Sequence, residues 1–219
     1  MYYFKELFEF LDQLARNNDR VWFNARRGEF ERLRGMWLQD VDRLIGLLSV
    51  ESSELSMLTA ARCTYRINRN LRFSADKTPY KTHVAAEITK NGRNSGYAGY
   101  YISAGDDNEL FGGLWAPEPA KLAKIRRAIV DNFEEWEAID NAPEMKRLFP
   151  GWWGPTLKTV PRGYAKDHPQ AAYLRLLHYG KCAEVGRKFY LDPAWPEKAA
   201  EMMSALKPMV DFLNYTIDE

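Results

Sequence analysis

Between residues 62 and 83 the sequence sets Arg62, Arg66, Arg69, Arg72, Lys77 and Lys81 against one acid, Asp76, a local charge of 6 − 1 = +5. A guanidinium is a planar fork matched to carboxylate or phosphate, and an ammonium adds a mobile point charge. Tyr65, Phe73 and Tyr80 interleave these cations with ring faces on which a planar group can stack. Such a set suits a small anionic ligand, phosphorylated in its most specific form. Arg66, Arg69 and Arg72 would clamp the charge, Lys77 and Lys81 extend the clamp, and Tyr80 stack or hydrogen-bond. Asp76 and His83 are the groups able to move a proton there if catalysis occurs. Two alternatives use the same residues. Ile67, Leu71 and Phe73 imply partial burial, and a buried arginine demands a partner, so the arginines could form a purely structural network with the chain's acids. Equally, the strip could dock an acidic protein or nucleic acid in a non-enzymatic interaction module.

The whole chain argues against a general polyanion binder. Its 31 basic and 30 acidic residues leave +1, too little for avid non-specific attraction to nucleic acid, so any electrostatic function is local. Two other stretches are candidates to complete the pocket: Gly112-Gly113-Leu114-Trp115-Ala116-Pro117-Glu118, contributing Trp115 and Glu118, and Lys166-Asp167-His168-Pro169, contributing Asp167 and His168. His83, His168 and His178 lack ligand spacing, so no metal site is expected, although His83, His168 and Asp167 are the set that could assemble one. Phosphate-cradling glycine loops and the Gly-x-Ser-x-Gly nucleophile turn are missing, and no cofactor follows from the residues present. Cys63 and Cys182 stand alone and read as small buried hydrophobes of a reducing compartment. With neither a signal-peptide pattern at Met1 to Glu6 nor an apolar run long enough for a membrane span, the chain is expected to be cytoplasmic and membrane-free.

The run Arg66-x-x-Arg69-Asn70-x-Arg72-Phe73-x-x-Asp76-Lys77-x-x-Tyr80 resembles the Arg-x-x-Arg-Asp-x-Arg-Phe-x-x-Asp/Asn-Lys-x-x-Tyr motif of a bacterial family catalogued as domain of unknown function 2461. Seven of the motif's eight fixed positions agree. Trp22-Phe23, Lys81-Thr82-His83, the Gly112 to Pro119 run and the Lys166 to Pro169 loop look familial too, so the resemblance covers the whole chain. Asn70 departs from it where the family has Asp. An amide keeps hydrogen-bonding capacity but cannot take up a proton, so any base role at that position is absent here. The resemblance implies where the site lies and supplies no reaction.

The elements expected to carry these residues form an α+β fold in a single domain spanning 1–219. Phe4, Leu7, Phe8, Leu11 and Leu14 mark an amphipathic helix ending near Asn17. Asp19 then caps a long helix bearing Phe23, Phe30, Leu33, Trp37, Val41, Leu44 and Leu48, which completes a helical hairpin. Strands are expected at Thr82 to Thr89, Tyr97 to Ser103 and Leu110 to Trp115, joined by turn-rich loops into an antiparallel sheet of at least three strands, with Leu58 to Tyr65 a candidate addition. Pro119 opens a helix, shorter helices follow to Leu148, Ala171 to Leu177 reads as helix and Cys182 to Phe189 as strand. A last helix starts at Pro196 and is expected to kink at Pro208.

Overall fold

The computed structural model describes residues 2–72 and 74–219. Phe73, expected to offer a stacking face, lies outside them. The fold is α+β, with N-terminal helices, a four-stranded antiparallel sheet of order β1-β2-β3-β4 and C-terminal helices. The strands are β1 (His83–Thr89), β2 (Gly99–Gly105), β3 (Glu109–Leu114) and β4 (Tyr179–Glu184). The chain groups into two compact units. The first comprises residues 1–93, 101–110 and 184–201; the second comprises 94–100, 111–183 and 202–219.

In the first unit α1 (Phe4–Arg16) buries the expected stripe of Phe4, Leu7, Phe8, Leu11 and Leu14. Asp19 accepts hydrogen bonds from the Val21 and Trp22 amides, so the predicted cap is present. The single long helix is interrupted: α2 (Arg20–Ala25) stops at Arg26, whose φ of −116° is not helical, and α3 (Arg27–Ser49) restarts there. The break lets Phe23 face Tyr80, while Phe30 stacks on Phe10 at 5.7 Å. Beneath α1 and α3, Trp37 stacks on Trp195 at 5.7 Å, and Asp40 accepts from Tyr2, Tyr3 and the Trp195 indole. Leu58 to Tyr65 is not a strand. It forms a short helix, α4 (Ala60–Cys63), followed by one bridge from Thr64 to Ala86. Cys63 is buried there, and burial pushes its thiol up to about 11, so it is inert at neutral pH.

In the second unit α5 (Pro119–Asp131) begins with proline in its first turn, as predicted, and α6 (Phe133–Asp140) and α7 (Pro143–Leu148) follow. Helix α8 covers only Ala171–Leu174. Gly113 has φ +126°, and a Cβ there would meet the Gly180 Cα at 2.5 Å, so glycine is required where β3 passes β4.

Two C-terminal expectations are corrected. Cys182 to Phe189 is not one strand, because β4 starts earlier, at Tyr179, and Gly186 (φ +67°) ends it and opens α9 (Gly186–Tyr190). The final helix is two helices, α10 (Trp195–Ser204) and α11 (Lys207–Asp218), with Pro208 in the first turn of α11. Proline loses nothing in a first turn, where its missing N–H has no intrahelical acceptor.

Candidate functional site

The basic segment forms a pinned loop in the first unit. Lys81 N–H donates to the Ile67 carbonyl at 2.8 Å and Arg69 N–H to the Pro79 carbonyl at 2.9 Å, making a two-rung antiparallel stem around the Asn68–Tyr80 bridge. Asn18 holds the stem from outside, donating to the Tyr80 carbonyl and accepting from the Tyr80 amide, each at 3.0 Å. Tyr80 itself is only 4% exposed, its ring stacked 4.0 Å from Phe23. The expected stacking role for Tyr80 is corrected: its ring belongs to the core.

Several of the cations are engaged within the loop. Arg69 pairs with Asp76 and Thr78 and reaches Ser74 at 3.4 Å. Lys77 donates to the Leu71 carbonyl at 3.2 Å. The Arg69 hydrogen bond, then those from the Thr78 amide and hydroxyl, hold Asp76 down at about 2. A carboxyl so stabilised as its anion is a poor proton acceptor at neutral pH, which argues against the catalytic role considered for Asp76. Asn70 accepts from the Arg72 amide at 3.3 Å, the orienting role an amide retains. Arg62 donates to the Asn91 carbonyl at 3.2 Å.

Arg66 and Lys81 behave differently. Arg66 is exposed, and among the described residues neither its guanidinium nor the Lys81 ammonium has a carboxylate partner. Lys81 lies 4.8 Å over the Tyr65 ring, whose hydroxyl donates to Glu87. Burial, and then the charge of Arg66, lower the Lys81 ammonium below its ordinary range.

His83 is oriented by two acids in the β2–β3 turn: its Nδ1 is 2.9 Å from Asp106 and 3.5 Å from Asp107. Burial would raise the Asp106 carboxyl, but hydrogen bonds from Thr82 and His83 outweigh it and lower the group. His83, Asp106 and Asp107 present ligand atoms within 4.8 Å of one another, a set that could hold a divalent cation. Positive charge already faces this set, because Arg187, paired with Asp12 at 2.6 Å, also interacts with Asp106.

The other expected site residues lie in the second unit. Trp115, 54% exposed, stacks on His178 at 4.5 Å, and the His178 Nδ1 accepts from the Ala116 amide at 2.8 Å. Burial lowers His178, which favours the neutral ring, and because its Nδ1 accepts, the ring proton sits on Nε2. Glu118 is exposed and supplies the carbonyl that accepts from Leu122 at the start of α5. His168 accepts from the Gln170 amide at 3.2 Å and meets Tyr164 edge-on at 5.7 Å, a loop-shaping role, while Asp167 is exposed.

Sequence reading missed a buried polar cluster in this unit. Lys181, 3% exposed, pairs with Asp140 at 2.7 Å and lies 4.6 Å over Trp152. Tyr173 donates to the same carboxylate at 2.8 Å, and Arg126 is buried on α5. Periodicity carried the signal: Arg126 falls on the stripe of Leu122 and Ile129, and Lys181, two residues after buried Tyr179, shares its strand face.

Among the described residues no helix is long and apolar enough to cross a membrane. No curated protein and no solved structure matches the chain. A family model described as "Conserved hypothetical protein (DUF2461)" matches residues 6–212, nearly the whole length. The chain therefore belongs to the DUF2461 family.

Proposed function

We propose that this protein binds a small oxyanion-bearing ligand, a phosphorylated compound in its most specific form, at Arg66 and Lys81 beside the Tyr65 ring. The observation that carries the reading is Lys81: a half-buried ammonium held over an aromatic face, next to a second cation, without a bonded carboxylate among the described residues. Retaining such a charge opposes folding unless an anion relieves it. A phosphate or carboxylate between the two cations would satisfy both and gain charge-assisted hydrogen bonds.

A second reading applies to the rest of the segment. Arg69 and Lys77 are engaged inside the loop by Asp76, Thr78, Ser74 and the Leu71 carbonyl, which favours a brace that fixes the loop rather than a clamp on ligand. Only binding is proposed, since Asp76 is held as its carboxylate.

The test is a thermal-shift screen against inorganic phosphate, nucleotides, sugar phosphates and short oligonucleotides at two salt concentrations. A salt-sensitive shift with one phosphorylated class, lost in Lys81→Met and Arg66→Met but kept in Lys77→Met, supports the reading. A response to oligonucleotides alone would move it to a nucleic-acid strip. No response to any probe leaves the loop as a structural brace.

A further inference from the structure

Arg126 lies on α5, 8% exposed, on the face that also buries Ile125 and Ile129. Its Nη2 donates to the Leu176 carbonyl at 2.9 Å, and its Nε–H has no acceptor among the described residues. Tyr179 is the polar side chain beside it, and the Tyr179 hydroxyl donates onward to the Tyr173 carbonyl at 2.9 Å. The part-buried carboxylate of Asp140 in the same unit is already shared by Lys181 and Tyr173. Among the described residues Arg126 has no carboxylate partner, so its buried guanidinium meets only neutral oxygens. A second buried donor is also orphaned: the indole N–H of Trp136, whose ring packs edge-on against Tyr179 at 5.9 Å.

A guanidinium keeps its charge when buried, so neutralising itself is not open to Arg126. Two neutral oxygens do not balance that charge, and an N–H without an acceptor adds a desolvation penalty. A ligand oxyanion answers both deficits. From this geometry we infer a second anion site, centred on the Arg126 Nε–H beside Tyr179, that accepts one oxyanion group, a carboxylate or inorganic phosphate. Tyr164, in the loop of residues 161–170, is close enough to Tyr179 to be felt electrostatically. This inference rests on residues separate from Arg66 and Lys81 and does not need that site to exist.

The experiment follows arginine Nε–H cross-peaks in nitrogen–proton spectra of the full chain, with the Arg126 peak identified by its loss in Arg126→Lys. Inorganic phosphate and acetate are titrated separately, with chloride at matched ionic strength. The expected result is a saturable shift of the Arg126 peak with one oxyanion and none with chloride; which one distinguishes a phosphate from a carboxylate site. Arg126→Met should weaken that oxyanion's affinity at least about tenfold, while Lys81→Met leaves it unchanged. A peak unmoved by both oxyanions, or moved equally by chloride, overturns the inference. So does a shift abolished by Lys81→Met, which would assign all binding to Arg66 and Lys81. Should Arg126→Met fail to fold, the wild-type spectra decide.

Discussion

Lys81→Met separates a binding lysine from a structural one, because the two predict different consequences for the anion-free protein. Methionine preserves much of the apolar stem and removes the charge. Losing the contact with Tyr65 at 4.8 Å costs about 0.5–1 kcal/mol. Removing repulsion from Arg66 at this half-exposed site returns about 0.2–1 kcal/mol, the scale of screened surface pairs. The terms nearly cancel, so the anion-free midpoint should move by no more than about 1 kcal/mol, or about 2–4 °C for a chain of this size. The ligand response is far larger: an anion at about 100 times its dissociation constant adds about 2.7 kcal/mol, or about 5–11 °C, to the wild type. In Lys81→Met that increment should fall below about 2 °C. Alkaline pH gives a second readout. Lys81 is lowered by burial and by Arg66, so the unfolded chain binds the extra proton just below the ordinary lysine range. Anion-free wild type should therefore gain stability relative to the variant as pH rises toward about 10.4. Differential scanning fluorimetry with and without phosphate checks both. The reasoning is refuted if the variant keeps the full anion shift, or if it loses more than about 2 kcal/mol while the wild type ignores every anion.

Three further outcomes follow from the same structure. Asp76 is held at about 2 by Arg69 and Thr78, so its contribution is complete above the ordinary aspartate range and lost as pH falls toward 2; Arg69→Met should return its carboxyl titration in NMR toward the ordinary value and open residues 69–79 to proteolysis without unfolding the chain. Burial raises Tyr101 to about 12 and pushes Tyr65, Tyr173 and Tyr179 higher. Stability from these phenols is complete below about 10 and lost as pH climbs through the folded values, so tyrosinate absorbance should rise in step with unfolding rather than before it. Gly105→Ala should cost more than about 2 kcal/mol in urea unfolding, since φ is +153° and a Cβ would lie 2.6 Å from the His83 Cα; a variant as stable as wild type would show that the β2–β3 turn yields.

What was legible in the sequence was whatever periodicity encodes. The α1 stripe, the Asp19 cap, the Pro119 start and strands β1 to β3 fall within a few residues of their expected positions. What failed depended on partners distant in sequence. Arg26 breaks a helix whose apolar pattern runs through the break, because Phe23 packs on Tyr80. Tyr80 read as a ligand residue because tyrosine beside lysine and arginine suits stacking, and nothing local reveals Phe23 on its face. The charge excess at 62–83 was plain, but its division between cations engaged in the loop and those without a carboxylate depends on where Asp76, Thr78 and Ser74 fold back. Arg126 and Lys181 went unnoticed because charged residues on a helix or strand are usually solvated.

Asn18 has a consequence for association between chains. In the stem of the 69–79 loop the backbone groups of Tyr80 point away from Asn68, which leaves them aimed outward like those of any edge strand. The Asn18 amide occupies both, donor to acceptor and acceptor to donor, as a neighbouring strand would. A side chain thus seals a rung where another polypeptide could begin pairing. Asn18→Ala would unseal it and invite edge-to-edge aggregation during expression or heating, even with every buried contact intact.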